Sequence, residues 1–278
     1  MKLIIWLGCW LLLPGLTLRA QSVNCTLYPA GTPCRQACEL YESPPQPEPR
    51  QGSAASQQLF DRILALCPDF APAWHEKAVP YLKRGDFATW KPLIDEAVRL
   101  QPRQYLAYRG WCYFHFLRDY EQAAADLTQV VKEAQGQPRY NNDGDYDLRT
   151  VLALCRRELG DRTGALALLT NCIEAGEAQQ RVGLYDYLHR GVTRLQAGDY
   201  AGAIRDLTRE QRQVRQLAET HYYLGVAYQR QGQPALARQQ LTLAQTLYAQ
   251  GHYRHDSYSE SVDAIYAGDI QLALAQLP

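Results

Sequence analysis

The sequence has no excess of either charge, since 29 Lys and Arg balance 29 Asp and Glu over 278 residues. Nucleic-acid binding needs a basic stripe to displace counterions from phosphates, and no such run occurs, so nucleic acid is not an expected partner. Long apolar runs are also scarce. After the first 20 residues no segment approaches the roughly 20 apolar residues that a membrane-spanning helix needs. Catalytic signatures are missing too: the chain has no nucleophile elbow, Walker loop, dinucleotide fingerprint or zinc-protease motif, which leaves no recognisable constellation for catalysis. With 46% apolar and 21% charged residues, extended disorder is not expected either.

What is present begins with residues 1–20, which read as a secretory signal peptide. Lys2 supplies the positive charge, Ile4 to Leu13 the apolar run, and Ala20 the small residue for cleavage. Pro14 and Gly15 break the run, so it is too short for an anchor. Cys25 is where a lipoprotein signal would place its lipid, although Ser22-Val23-Asn24 matches that pattern poorly. The expectation is an exported chain in the periplasm or cell envelope, with a lipid anchor as the alternative. Asn24-Cys25-Thr26 fits a glycosylation acceptor if the source is eukaryotic. Removing the signal takes Cys9 and leaves Cys25, Cys34, Cys38, Cys67, Cys112, Cys155 and Cys172. The number is odd, so in an oxidising compartment at least one thiol stays free or pairs between chains. Cys25, Cys34 and Cys38 crowd into a Pro-containing lead-in over residues 21–55 that builds little core, and one bridge is expected from Cys25 to Cys34 or Cys38. Cys67, Cys112, Cys155 and Cys172 sit in apolar helical patterns and read as small core residues.

The clearest local order is Ala218 to Gly251. Leu224, Gly225 and Tyr228 lie three and four apart on one helical face, Gly232 suits a left-handed turn, and Pro234 suits a first helical turn. Ala237, Leu241 and Ala244 repeat the spacing, and the small Gly225 and Ala237 let two backbones approach. This helical hairpin in 34 residues resembles the tetratricopeptide repeat. Similar units follow from Ala71 to Pro102, with Trp74, Ala78, Tyr81 and Gly85-Asp86; from Arg103 to Ala134, with Gly110, Tyr113 and Asp119; from Tyr146 to Gly176, with Ala153 and Gly160-Asp161; and from Leu184 to Arg215, with Gly191 and Gly198-Asp199. In the second of these the turn reads as one residue short, with Arg118 in the place of glycine. Pro80 is expected to kink its helix. Gln135 to Asp145 reads as a loop. Residues 34–67 read as a degenerate opening hairpin, and Arg254 to Pro278 as a final hairpin turning at Gly268-Asp269. The resemblance implies an all-α, tetratricopeptide-like α-solenoid over residues 56–278, a right-handed superhelix of roughly six or seven hairpins.

Two clusters invite a metal reading. His252, His255 and Asp256 could share a helical face, but no third close His or Cys accompanies them. Asn141, Asp143, Asp145 and Asp147 alternate like calcium ligands, yet no glutamate closes a twelve-residue loop. No metal or cofactor is expected. The resemblance instead points to the concave face and places His75, Lys83, Trp111, Phe114, His115, Thr150, Arg157, Tyr185, Tyr222, Gln229 and Arg230 there, a mixture of aromatic and arginine residues suited to binding hot spots. Trp111 is expected to be exposed as the principal anchor. The implied function is a non-enzymatic scaffold that binds a protein or peptide in its groove. A metal-binding or enzymatic protein on the same scaffold, and a self-associating structural envelope subunit, are the alternatives.

Overall fold

The computed structural model describes residues 23–278, so the signal-peptide reading and Cys9 lie outside the described residues. The chain divides into two compact units, one ending at Ala73 and the other running from Trp74 to Pro278. Thirteen α-helices run through the described residues. Consecutive helices pack in pairs from the fifth to the twelfth, as do the first two, and the only β feature among the described residues is an isolated antiparallel bridge between Tyr140 and Asp147.

The first unit holds a 3-10 turn at Cys25–Leu27, α1 (Pro33–Glu42) and α2 (Ala54–Leu66). Thr32 caps α1 and Ser53 caps α2, each accepting a backbone N–H that the first helical turn leaves unpaired. Two disulfides fasten it, Cys25–Cys38 and Cys34–Cys67. The expectation of one bridge is therefore corrected to two, and Cys67 is not a free core thiol but the residue that closes α2. The second bridge keeps α2 with the lead-in, so a boundary drawn at residue 56 cuts through this unit. Ala37, Leu59, Ile63 and Phe70 form its buried interior, with the rings of Tyr28 and Tyr41 against Phe70.

The helix α3 (Ala71–Lys83) runs without interruption through Pro80. The second unit continues with α4 (Phe87–Leu100), α5 (Pro102–Cys112), α6 (Tyr120–Glu133), α7 (Leu148–Glu158), α8 (Arg162–Ala178), α9 (Asp186–Gln196), α10 (Tyr200–Gln213), α11 (Ala218–Arg230), α12 (Pro234–Ala249) and α13 (Ala267–Ala275). The Gly-Asp turns work as a pair. Gly85, Gly160 and Gly198 take positive φ, which costs glycine nothing. The aspartates that follow then accept the N–H of Thr89, Gly164 and Gly202 and cap the next helix. Within a pair the helices approach closely: a Cβ on Gly225 would stand 2.6 Å from the Leu241 side chain. Leu188, Val192, Ala203, Leu207, Leu217 and Leu224 make one continuous buried cluster across α9 to α11. Such stacking is how each amphipathic helix hides its apolar stripe.

Two readings of the sequence are overturned here. The α5–α6 turn is one residue longer than its counterparts, not shorter. The Asp119 N–H reaches back six residues to the Tyr113 carbonyl, where Asp86, Asp161 and Asp199 reach back five. The extra residue is absorbed by a π-helical turn over Tyr113–Leu117, and Arg118 takes the left-handed conformation that glycine takes elsewhere. At the other end, residues 254–278 are not a hairpin. Gly268 lies inside α13, and residues 252–264 form no helix.

Candidate functional site

The first helices of successive pairs, α5, α7, α9 and α11, adjoin one another, and the segment between α12 and α13 lies across them. This strap is built by local bonds of its own. Gly251 turns the chain out of α12 at φ +81°. The Asp256 carboxylate accepts the N–H of Tyr258 and of Ser259, both at 2.8 Å, and the Arg254 guanidinium donates to the Val262 carbonyl. The backbone bends at residues 257–259 and turns at 262–263, and its remaining side chains meet the helices.

Asp263 is the deepest contact. It pairs with Arg157 of α7 at 2.8 Å and accepts from Nδ1 of His189 of α9 at 2.7 Å. A carboxylate only accepts, so Nδ1 carries the hydrogen there. Burial would raise the Asp263 carboxyl, but Arg157 and His189 outweigh it and hold the group well below the usual carboxylate range. Asp263 also has φ +62°, a left-handed conformation uncommon for a residue with a Cβ. Tyr223 of α11 donates to its carbonyl.

The rest of the strap runs along the same helices. Arg118 pairs with Glu260. Ser259 Oγ and His115 Nε2 are 2.7 Å apart, and burial lowers the His115 pKa. The Arg254 N–H donates to Glu219, its guanidinium bonds the Tyr146 hydroxyl, and the same group stands 4.4 Å from the Tyr185 ring centre. Lys83 Nζ stands 5.8 Å from the ring centre of Tyr258. Between the strap, the helices and the 140–146 loop remains a cavity of about 570 Å³, whose walls include Trp111, Tyr140, Tyr146, Tyr185, Arg181 and Asp143.

The eleven groove residues read from the sequence thus separate into groups. Lys83, Trp111, Phe114, His115, Arg157 and Tyr185 gather at the strap or the cavity. Tyr222 packs with Ala244, Leu247, Ile265 and Ile270, and Gln229 donates to the Gln276 carbonyl just beyond α13, so α13 covers both. Arg230 is exposed at the end of α11. His75 stacks on Tyr105 and meets the Tyr108 ring edge-on, and the fully buried Thr150 donates to Asp186; these two are packing residues. Trp111 is a correction. It is only 6% exposed, with the His115 ring stacked on it at 4.7 Å and Tyr146 at 5.5 Å, so it supports the groove wall and is no open anchor.

Sequence reasoning missed His189, Tyr146, Arg254 and Asp263. Their roles arise from contacts 74 to 108 residues apart, which no local period encodes. Of the metal candidates, His255 and Asp256 line the cavity, while Asp147 caps α7 and pairs with Arg149. Among the described residues no group of three or more His, Cys, Asp or Glu is placed to hold a metal ion. None of their helices is long and apolar enough to cross a membrane.

Paired helices, buried small residues at each crossing and a row of first helices facing one groove define a helical-repeat solenoid. The tetratricopeptide repeat family model matches residues 106–135. Among solved structures, the chain is similar to PilW, titled a widely conserved type IV pilus biogenesis factor, at 16% identity over 87% of this chain and 96% of that one, with a TM-score of 0.59. It is similar to a chain of the Cut9–Hcn1 hetero-tetramer of the APC/C, at 15% identity and a TM-score of 0.54 over 88% of its length, and it spans 42% of that chain. It is also similar to YrrB, titled a tetratricopeptide protein with an unusual peptide-binding site, at 16% identity over 68% of this chain and 92% of that one, with a TM-score of 0.51. No curated protein matches the sequence. The chain has the tetratricopeptide-repeat fold, and one of its units carries that repeat's sequence pattern.

Proposed function

We propose that the chain is an exported helical-repeat scaffold whose groove binds an extended segment of a partner protein and catalyses no reaction. The observation that carries this reading is the strap. A stretch of irregular chain rests on α5, α7, α9 and α11 through side-chain ion pairs and ring contacts, which is the way a groove holds a peptide. The peptide-binding site of YrrB supports the reading by likeness of fold. Export is supported by the two disulfides of the first unit, a chemistry that persists in oxidising compartments.

A photo-crosslinking residue placed at Tyr140, 43% exposed on the cavity rim, tests the proposal in cells. The expected product is a covalent adduct with one protein partner, weakened by Arg157→Glu. Adducts only from a position away from the cavity, such as Leu243 on α12, would overturn the groove assignment.

A further inference from the structure

The strap states in its own chemistry what the groove recognises. Its carboxylates Asp256, Glu260 and Asp263 fall at intervals of four and three, and cationic or imidazole groups of the helices stand against each. Asp263 meets Arg157 and His189, Glu260 meets Arg118, and Asp256 lies 3.7 Å from His115. Arg157 is 4% exposed and His189 is fully buried. Arg157 also pairs with Glu158 of its own helix at 2.9 Å, and burial lowers the His189 pKa, so the Asp263 carboxylate, reaching both from outside the helices, completes the cluster as a second acceptor for Arg157 and the acceptor for Nδ1 of His189. In this structure that carboxylate comes from residue 263, whose backbone takes the left-handed conformation that aspartate visits more readily than most residues with a Cβ.

We infer that residues 252–264 are a tethered ligand of the groove, and that the partner which replaces them is an extended acidic segment bearing an aspartate or glutamate at the place of Asp263. This rests on the scaffold reading above and names its class of partner. The fit is one of charge and of hydrogen bonding: the guanidinium groups of Arg118 and Arg157 and the imidazoles of His115 and His189 are contributed by the π-turn region, α7 and α9 in a row, so the incoming chain needs carboxylates spaced to meet them and not a single terminal one. Because the strap is joined to the same chain, it competes at a high effective concentration, and the trans partner binds with an affinity reduced by the fraction of open groove.

The test uses the full chain and a fluorescein-labelled peptide of residues 252–265, followed by fluorescence anisotropy. The control is the same peptide carrying Asp256→Asn, Glu260→Gln and Asp263→Asn. Two variants of the protein weaken the strap: Asp263→Asn, which removes the anchor charge, and Glu260→Gln, which loosens only the exposed contact with Arg118 and serves if the first does not fold. The acidic peptide should bind a folded strap variant about tenfold more tightly than the wild type, as expected when the competing closed state is depopulated, and the control peptide, which lacks the three carboxylates, should not bind measurably. Equal binding of both peptides, or no binding of either to a folded variant, would overturn the inference. If the acidic peptide fails while Tyr140 still crosslinks a partner, the groove scaffold stands and the acidic class falls; if the crosslink is absent as well, both fall.

Discussion

Glu210 on α10 has no solvent contact, and only Oε2 of its carboxyl group finds a partner, the Leu188 N–H at 3.1 Å, while Oε1 has none among the described residues. Burial pushes its pKa up to about 8. The folded chain therefore holds a proton that the unfolded chain releases near pH 4.5. The sign follows: the contribution of this group to stability is fully present below pH 4.5 and is lost as pH rises through 8, on the order of 3 to 5 kcal/mol. Glu210→Gln should remove that loss, so the variant's Tm exceeds that of the wild type at pH 8.5 and matches it near pH 5; parallel Tm curves across that range would refute the assignment. Nothing in the sequence marks Glu210, because its environment is made by α9 packing over it. Gly225 is the opposite case. Its small size at helical spacing from Leu224 and Tyr228 was readable, and the structure leaves no room for a side chain there. Arg194 stands between these: it replaces an aromatic residue of the repeat, and its reason, a 2.8 Å pair with Asp206 of α10, is visible only in the folded molecule.

At the scale of elements, the first unit depends on its bridges more than on its helices, since α1 and α2 together bury few large apolar groups. The partners are 13 residues apart in Cys25–Cys38 and 33 apart in Cys34–Cys67. In the chain-entropy model loops of these lengths contribute about 3 and about 4 kcal/mol. Peptide mapping without reduction should find both pairs, and Cys112, Cys155 and Cys172, all buried, should react with a thiol reagent only after unfolding. Labelling of Cys34 or Cys67 in the folded, unreduced protein would contradict the pairing. The spacing of cysteines showed that the lead-in is stapled but not that the staple reaches α2, because Cys67 ends an apolar helical pattern and looks like core. The strap was illegible for a related reason. Gly268-Asp269 repeats the letters of the earlier turns, yet Gly268 has no positive φ and Asp269 acts within the first turn of α13, accepting from the Tyr266 N–H. The same dipeptide serves two structures.

For the molecule as a whole, the period of paired helices was legible because it is imposed by stacking, whereas the contents of the groove were not, because one crossing segment rearranges them. Solenoid units ordinarily contact only their neighbours, and their stability adds unit by unit. Here residues 254–263 bind α7, α9 and α11 at once, which couples units that a plain stack leaves independent. Asp263→Asn should accordingly lower the urea m-value and broaden the transition as units from Trp74 onward begin to unfold separately; an unchanged m-value with a shifted midpoint would show that the strap adds stability without coupling. The order of synthesis gives the crossing segment another consequence. Helices α5 to α11 emerge and can pair long before residue 263 does, as domains fold from the N-terminus during synthesis. Until Asp263 arrives, Arg157 keeps only Glu158 of its own helix as a partner, and Nδ1 of His189 lacks the acceptor it finds in the folded chain. The newborn chain thus passes through an interval, set by elongation rate and by the slow closure of a long loop, in which its binding face is open to whatever acidic segment reaches it first.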